Sequence, residues 1–395
     1  MKIRAVKTYI LKVPLGEKRF FSSQCQFPER NSFLVRIETD EGICGWGEGG
    51  QYGPAEPVCS CVEHILAPLL IGRNPFEKGV LWNQMYALTR DFGQKGSYIE
   101  AISAIDIALW DICGKVLELP VSSLLGGCFR DKVKTYATGC YYRGEDYLDV
   151  KDKLKELQEE AQSYIRQGFQ MLKIKVGLLP VEQDYLRVRA IREAVGKDVR
   201  IFVDANHAYN SFSAIKMGRY LEEQGIDFFE EPVPPEDREG YIAVRKALDV
   251  AIAGGECEYT RYGFKDFIGK GCIDIAQPDI CVCGGLTEFM NIVAVATSYG
   301  VMVVPHVWGS GVALAVALSA IASLACVPHT ANPVAMQNEP AMEYDRNFNP
   351  LRDELLVQPF DFRDNCVYVP DGAGLGIEIN EDVLSRYTVY TGIIK

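Results

Sequence analysis

R-I-F-V-D at residues 200–204 is a short apolar run closed by an acid, and this pattern returns at equal intervals along the chain. It recurs as I-D-F-F-E at 226–230 and as V-A-I-A-G-G-E at 250–256, and successive acids are 26 positions apart. Such runs are typical of buried parallel strands, and a barrel of eight strand–helix units in about 250 residues repeats at roughly this length. The acids are therefore expected at one mouth of a barrel.

The three acids, Asp204, Glu230 and Glu256, predict a metal centre. Carboxylate oxygens with no Cys or His in the pattern are ligands for a hard divalent cation, Mg²⁺ above all. A single acid after a strand is usually a solvated loop residue, whereas three in phase are hard to assign to chance. One Mg²⁺ per subunit is the expected cofactor.

The rest of the chain predicts an α/β protein with two domains. Residues 1–128 are expected to form an α+β capping domain, residues 129–354 a (β/α)8-type barrel, and residues 355–395 a segment that returns to the capping domain. In the cap, strands are expected at 2–13, 32–38 and 43–48, and helices at 57–70, 75–89 and 97–117. Barrel strands are expected at 133–138, 171–176, 200–203, 228–229, 251–253, 273–276, 301–304 and 341–343.

The amino-acid composition of the chain argues against some classes of binding partner and indicates a cellular compartment. A net charge of −12 argues against nucleic acid or an anionic membrane surface as a partner. The most apolar stretch, 311–327, is short and rich in Ala, Gly and Ser, which favours a buried helix over a membrane span. Thirteen cysteines without a C-x-x-C pair, in a chain with no visible secretory signal, indicate free thiols in the reducing cytoplasm.

Candidate general bases are expected at the same mouth of the barrel. Lys173 and Lys175 alternate in the apolar strand M-L-K-I-K-V, so both side chains lie on one face. If that face lines the barrel, two ammonium groups beside a cation lower each other's pKa, and one lysine can serve as a general base. The alternative is a solvent-facing edge strand with two lysines.

A second candidate is formed by Asp279, which ends D-I-A-Q-P-D, and His306, which ends V-M-V-V-P-H. An Asp beside a His selects its tautomer and raises its basicity. His207 follows the strand of Asp204 but is out of phase with it, which makes His207 a possible substrate contact and not a base.

In this order, K-I-K, D-A-N, E-E-P, G-G-E, Q-P-D and P-H resemble the mandelate racemase subgroup of the enolase superfamily. The likeness extends to G-W-G-E at 45–48 and to the closing P-D-G-A-G-L-G-I-E-I. It implies a modified (β/α)7β TIM barrel under an α+β cap, with the three spaced acids as Mg²⁺ ligands. A lysine in place of Asp279 would have indicated the muconate-lactonizing branch.

The resemblance also implies roles for the other residues. Lys175 would be the base on one face of the substrate, and His306, paired with Asp279, the acid or base on the other. The side chains implied to contact the substrate carboxylate or its neighbourhood are Lys173, Asn206, Glu343 and Trp308.

The implied reaction is abstraction of the α-proton of a sugar acid or aldarolactone through an enediolate. Y-A-T-G, D-A-N-H-A-Y and M-E-Y-D-R-N-F-N-P are similar to motifs of aldarolactone cycloisomerases, which favours ring opening by β-elimination. The alternatives are an acid-sugar dehydratase, then a racemase or epimerase, and, outside enzymes, an inactive barrel that binds metal or sugar acid. A small carboxylate substrate and a homo-oligomer are expected, with specificity in the loops at 19–30 and 49–53.

Overall fold

The computed structural model describes residues 1–50, 53–144, 146, 148–328 and 339–395, so residues 51 and 52 of the expected 49–53 specificity loop lie outside it. The strands are β1 Ile3–Pro14, β2 Phe20–Phe21, β3 Gln26–Phe27, β4 Glu29–Thr39, β5 Cys44–Glu48, β6 Lys132–Gly139, β7 Tyr142–Arg143, β8 Met171–Lys175, β9 Arg200–Asp204, β10 Phe228–Glu230, β11 Ala251–Gly254, β12 Ile275–Ala276, β13 Met302–Val303, β14 Met342–Asp345, β15 Phe362–Arg363, β16 Cys366–Tyr368 and β17 Thr388–Ile394.

The helices are α1 Glu56–Cys61, α2 Lys78–Thr89, α3 Ser97–Leu117, α4 Val121–Leu124, α5 Val150–Arg166, α6 Val181–Val195, α7 Ser211–Glu223, α8 Arg238–Ala247, α9 Thr260–Gly269, α10 Gly285–Ser298, α11 Gly311–Ala322, α12 Pro350–Asp353 and α13 Glu381–Tyr387. A π-helical turn, Val62–Leu66, and a 3₁₀ turn, Ala67–Leu69, continue α1, so the helix expected at 57–70 changes its winding along its length.

Eight parallel strands form the barrel. Their order is β13-β12-β11-β10-β9-β8-β6, and β14 pairs with the far edge of β6. Helices α5 to α11 connect them, which confirms the (β/α)7β prediction. Each barrel strand lies within two residues of its expected limits. The apolar stretch at 311–327 begins with α11, whose residues are all buried, and none of the described helices has the length and apolar character needed to cross a membrane.

The register of the barrel brings the acids and lysines together. Lys175 of β8 is paired with Asp204 of β9, and Asp204 is paired in turn with Glu230 of β10. All five residues of β8 are buried, because a parallel strand in a barrel is covered on both sides. The two lysines therefore lie in the interior, and the alternative of an exposed edge strand is wrong.

An antiparallel sheet of order β17-β1-β4-β5 forms the core of the cap together with α3. After the barrel, the chain contributes strands to both the barrel sheet and the cap sheet. Its hairpin β15–β16 pairs with β6 at the barrel, and its last strand, β17, pairs with β1 of the cap. The domain limits near residues 128 and 354 stay predictions.

Glycines set the distance between β5 and α3. Gly45, Gly47 and Gly49 alternate along the chain, so they lie on one face, and that face contacts the helix. A Cβ added at any of the three would lie 2.0–2.2 Å from a carbonyl oxygen of α3. The intervening residues Trp46 and Glu48 are buried on the other face. Because backbone meets backbone here, no side chain can rotate to make room.

We expect Gly47→Ala to lower the free energy of unfolding by about 3 kcal/mol or more, since the new methyl group would force α3 away from the sheet. The matched control is Gly53→Ala, where an added Cβ meets nothing within 4 Å. The control should change stability by about 0.5 kcal/mol or less. Urea unfolding followed by circular dichroism measures both, and equal midpoints for the two variants would contradict the close-packing account.

Candidate active site

Three carboxylates converge at the mouth of the barrel. Asp204 and Glu230 end strands β9 and β10, and Glu256 lies two residues beyond β11. One oxygen from each lies within 4.8 Å of the others, and all three side chains are buried. The pattern of equal spacing in the sequence thus becomes a single acidic cluster.

Two lysines lie against this cluster. The Lys173 Nζ atom is 2.8 Å from Glu230 Oε1 and 2.9 Å from Glu343 Oε1, and the lysine is fully buried. Lys175 forms an ion pair with Asp204. Without these two positive charges, the burial of so many carboxylates would be prohibitively unfavourable.

The electrostatics of Lys175 differ from the sequence-based expectation. Burial lowers the pKa of Lys175, and so does Lys173, as expected. The surrounding acidic groups, Asp204 foremost, together outweigh both effects, however, and raise the pKa of Lys175 above its usual range. Lys175 therefore keeps its proton as long as the charge of Asp204 is not neutralised.

The cluster has the properties of a divalent-cation site. Burial and the charge of Asp204 raise the pKa of Glu230 well above its usual range. Burial and the charge of Glu231 raise the pKa of Glu256 to about 7. Glu256 Oε2 has no hydrogen-bond partner among the described residues, although His306 Nε2 lies 3.3 Å away. A bound cation would relieve this repulsion, so the residues present fit a hard metal ion.

On the other side of the cluster lies a His–Asp pair. His306 Nδ1 is 2.7 Å from Asp279 Oδ2, and its Nε2 atom points toward Glu256 and Glu343, whose nearest oxygens are 3.3 and 3.6 Å away. Burial would lower the pKa of His306, but the charges of Glu256 and Glu343, with the bond to Asp279, raise it to about 10. His306 is therefore protonated at neutral pH in this arrangement.

A cavity of about 130 Å³ opens onto these groups. Its walls include Lys175, Asn206, His207, Glu256, His306 and Trp308 from the barrel, together with Ser22, Gln24, Cys25 and Phe27 from the cap. Ser23 and Gln24 hydrogen-bond to the carbonyl oxygen of Asn206, directly after β9. The loop at 19–30 thus covers the carboxylate cluster, so residues of both the cap and the barrel build the site.

The remaining candidate substrate contacts fall at or beside this cavity. The backbone N–H of Asn206 donates to Asp204 Oδ1 at 2.8 Å. The ring of Trp308 is tilted against that of Phe27, with ring centres 5.6 Å apart, and lies under the guanidinium of Arg30. His207 lies 3.0 Å from Glu231, whose charge raises the pKa of His207 to about 9 against the opposing effect of burial.

Two polar residues of the site escaped the sequence-based interpretation. Gln277 donates to Glu230 Oε2 at 2.8 Å, and Thr138 donates to Glu343 Oε1 at 2.6 Å. Both occur within motifs already singled out, Q-P-D and Y-A-T-G. The signal for Gln277 is its position two residues before Asp279, near the same strand end.

A capped (β/α)7β barrel with three carboxylates, two lysines and a His–Asp pair at the carboxyl ends of its strands defines an enzyme of the enolase type. The chain belongs to the mandelate racemase/muconate lactonizing enzyme family. Residues 9–126 match the family's N-terminal domain, and residues 156–383 match the enolase C-terminal domain-like family.

Relatives with reported activities cover nearly the whole chain. D-galactarolactone cycloisomerase of Agrobacterium fabrum is 43% identical over 98% of this chain and 99% of that protein. Arabinonate dehydratase of Saccharolobus solfataricus is 38% identical over 89% of each chain. The crystal structure of 3,6-anhydro-D-galactonate cycloisomerase from Zobellia galactanivorans superposes with a TM-score of 0.87 at 40% identity, covering 99% of this chain and 100% of that one.

We expect Mg²⁺ to raise the thermal unfolding midpoint of the chelator-treated protein, since an ion that binds only the folded state stabilises it by about 2.7 kcal/mol at a hundred times its Kd. Glu256→Gln replaces an anionic ligand with a neutral amide and should require at least roughly tenfold more Mg²⁺ for the same shift. Glu236→Gln, at an exposed position, is the control and should titrate like the parent. Identical titrations for all three proteins would contradict the metal site.

Proposed function

We propose that this enzyme is a Mg²⁺-dependent cycloisomerase that opens the ring of a sugar-acid lactone by β-elimination. The observation that carries the proposal is the placement of two different basic groups at one small cavity. Lys175 and His306 both line it, and their strands, β8 and β13, have four strands between them in the sheet order. Groups so separated can reach a bound substrate from different sides.

The direction of proton transfer follows from the charges. Against the effect of burial, the charge of Glu343 and the bond to Asp279, neither of which is a proposed metal ligand, raise the pKa of His306, so its imidazolium form is suited to protonate the leaving oxygen. Lys175 is then the group that takes the α-proton, provided that the charge of Asp204 is neutralised. When bound, Mg²⁺ would supply that neutralisation and Lewis-acid polarisation of the substrate carboxylate.

Lys175 and His306 together account for the two proton transfers of the elimination. The α-proton passes to Lys175 Nζ, and the Cα–H electron pair moves into the substrate carboxylate to give an enediolate. Collapse of the enediolate forms the Cα–Cβ double bond and breaks the Cβ–O bond of the ring. The leaving oxygen takes a proton from His306, and the enol becomes a 2-keto acid. Lys173, fully buried against Glu230 and Glu343, holds positive charge beside the developing enediolate, which is usually the largest catalytic contribution.

The relatives support ring opening in preference to other outcomes. The relative at 43% identity and the structure at 40% identity are both named cycloisomerases of cyclic sugar acids. An acid-sugar dehydratase is the second candidate, because the same pair of groups can expel a β-hydroxide and the relative at 38% identity is a dehydratase. A homo-oligomeric assembly and a cytoplasmic location stay predictions from the sequence.

The deciding experiment is a screen of mono- and diacid sugars and their lactones with Mg²⁺, followed by NMR of the product. Conversion of a lactone to an open 3-deoxy-2-keto acid is expected. Faster turnover of an open-chain acid with release of water would favour the dehydratase, and an epimerised substrate would favour a racemase. Binding of metal and sugar acid without any α-proton exchange in D₂O would indicate an inactive barrel.

We expect Lys175→Ala and His306→Asn each to lower kcat by ~10²–10⁴-fold, the typical contribution of one acid–base group. Lys175→Ala should also lose exchange of the α-proton with D₂O, whereas His306→Asn should retain exchange while forming no product. Deuterium incorporation measured by NMR separates the two.

Suitable controls are Lys155→Ala and His64→Asn, because both residues are exposed and distant from the strand ends. They should turn over normally. Near-normal product formation by Lys175→Ala would overturn this assignment, and exchange retained by Lys175→Ala but lost in His306→Asn would reverse the two roles.

A further inference from the structure

A second group of metal-ligating side chains lies beside the three-carboxylate centre. His207, Glu231, Glu256 and Cys257 each offer one ligand atom, and these four atoms lie within 4.8 Å of one another. Glu256 belongs to both groups, but the other three residues belong only to the second. The donor set of imidazole, thiol and two carboxylates differs in chemistry from the all-carboxylate centre.

Two of the separations between these ligand atoms suit a small tetrahedral ion. His207 Nε2 is 3.0 Å from Glu231 Oε2 and 3.6 Å from Cys257 Sγ. A Zn²⁺ ion with bonds of about 2.0–2.3 Å to N, O and S separates its ligand atoms by roughly 3.3–3.7 Å. The separation of His207 from Cys257 lies within this range, and the separation of His207 from Glu231 is a few tenths of an ångström shorter than it.

An independent observation points to a ligand at this place. The Glu231 side chain is 2% exposed, and the described part of the chain supplies its Oε2 atom with the ion pair to His207 at 3.0 Å and with no further hydrogen-bond partner. Buried carboxylate oxygens are normally satisfied. The Nδ1 atom of His207 is also buried without a hydrogen-bond partner there.

The backbone holds these side chains in place. His207 and Glu231 have φ values of +66° and +47°, which non-glycine residues rarely adopt, and the N–H of His207 donates to the carbonyl oxygen of Glu231 at 2.9 Å. His207, Glu256 and Cys257 also line the 130 Å³ cavity. An ion that enters the cavity therefore reaches preplaced ligands.

We propose that His207, Glu231, Glu256 and Cys257 form a second metal site that takes a thiophilic divalent ion such as Zn²⁺, and that its occupation weakens ion binding at the carboxylate centre. Thiolate and imidazole ligands favour Zn²⁺ over Mg²⁺. Because Glu256 is shared and two dications side by side repel, the two sites are antagonistic. This inference goes beyond the proposed function, because it concerns inhibition by a metal and not the reaction.

The ligand set can be tested with Co²⁺ as a spectroscopic substitute for Zn²⁺, on the full-length protein without substrate at pH 8. A thiolate bound to Co²⁺ gives an intense near-ultraviolet charge-transfer band, which carboxylate ligands do not give. The parent protein should show this band and Cys257→Ser should not. Cys25→Ser, at the same cavity but outside the group, is the matched control and should keep it. No band in the parent, or a band unchanged in Cys257→Ser, would overturn the site.

The antagonism needs a second measurement. Electron paramagnetic resonance of free Mn²⁺ gives the Mn²⁺ affinity of the carboxylate centre, which one equivalent of Zn²⁺ should lower at least tenfold in the parent. Cys257→Ser should bind Mn²⁺ like the parent when no Zn²⁺ is present, which shows that it is folded, and should lose most of the Zn²⁺ effect. Mn²⁺ affinity that is unaffected by Zn²⁺ in the parent would refute the sharing of Glu256. Neither readout depends on turnover, so failure here is distinct from failure of the cycloisomerase assignment.

Discussion

Mutual repulsion among buried carboxylates is the constraint on which the rest of the site depends. Asp204, Glu230 and Glu256 are buried and lie within a few ångströms of one another at the barrel mouth. In such surroundings like charges interact strongly and ionised groups are costly to bury unless they are paired. The ion pairs of Lys173 and Lys175, together with the positive charge of His306, offset this repulsion. Each of these groups then carries a charge that is suited to a bound carboxylate substrate.

The parts of this arrangement that the sequence could predict are those that follow from periodicity. Equal spacing of Asp204, Glu230 and Glu256 indicated strand ends in phase, and alternation placed Lys173 and Lys175 on one face. Both are properties of short segments combined with the regular geometry of a barrel. The pairing of Lys175 with Asp204, and of Asp204 with Glu230, is the structural expression of that spacing.

The features that the sequence did not reveal depend on contacts between distant segments. The strand at 43–48 was predicted, but the close approach of its glycines to α3 requires knowing which helix covers which face. The expectation that Lys173 would lower the pKa of Lys175 was right in direction, yet Asp204 outweighs it at close range. His207 was interpreted as a substrate contact, and its neighbours Glu231 and Cys257 come from other strand ends. Charge balance at such points is a property of three-dimensional neighbours.

The cap is hydrogen-bonded to the barrel at two places near the cavity. The cap and the strand ends that carry the proposed reacting residues are therefore positioned together. On one side, Ser23 donates to the carbonyl oxygen of Ala205 at 2.7 Å, directly after the strand of Asp204. On the other, the buried carboxylate of Glu48 accepts hydrogen bonds from the Ser310 N–H and hydroxyl at the start of α11, four residues after His306. Negative charge at a helix N-terminus is favourable, so this contact holds the segment that carries His306 and Trp308. The cap loop over the cavity is therefore positioned by the strand end that carries Asp204, and a change of specificity in that loop must preserve the contact of Ser23.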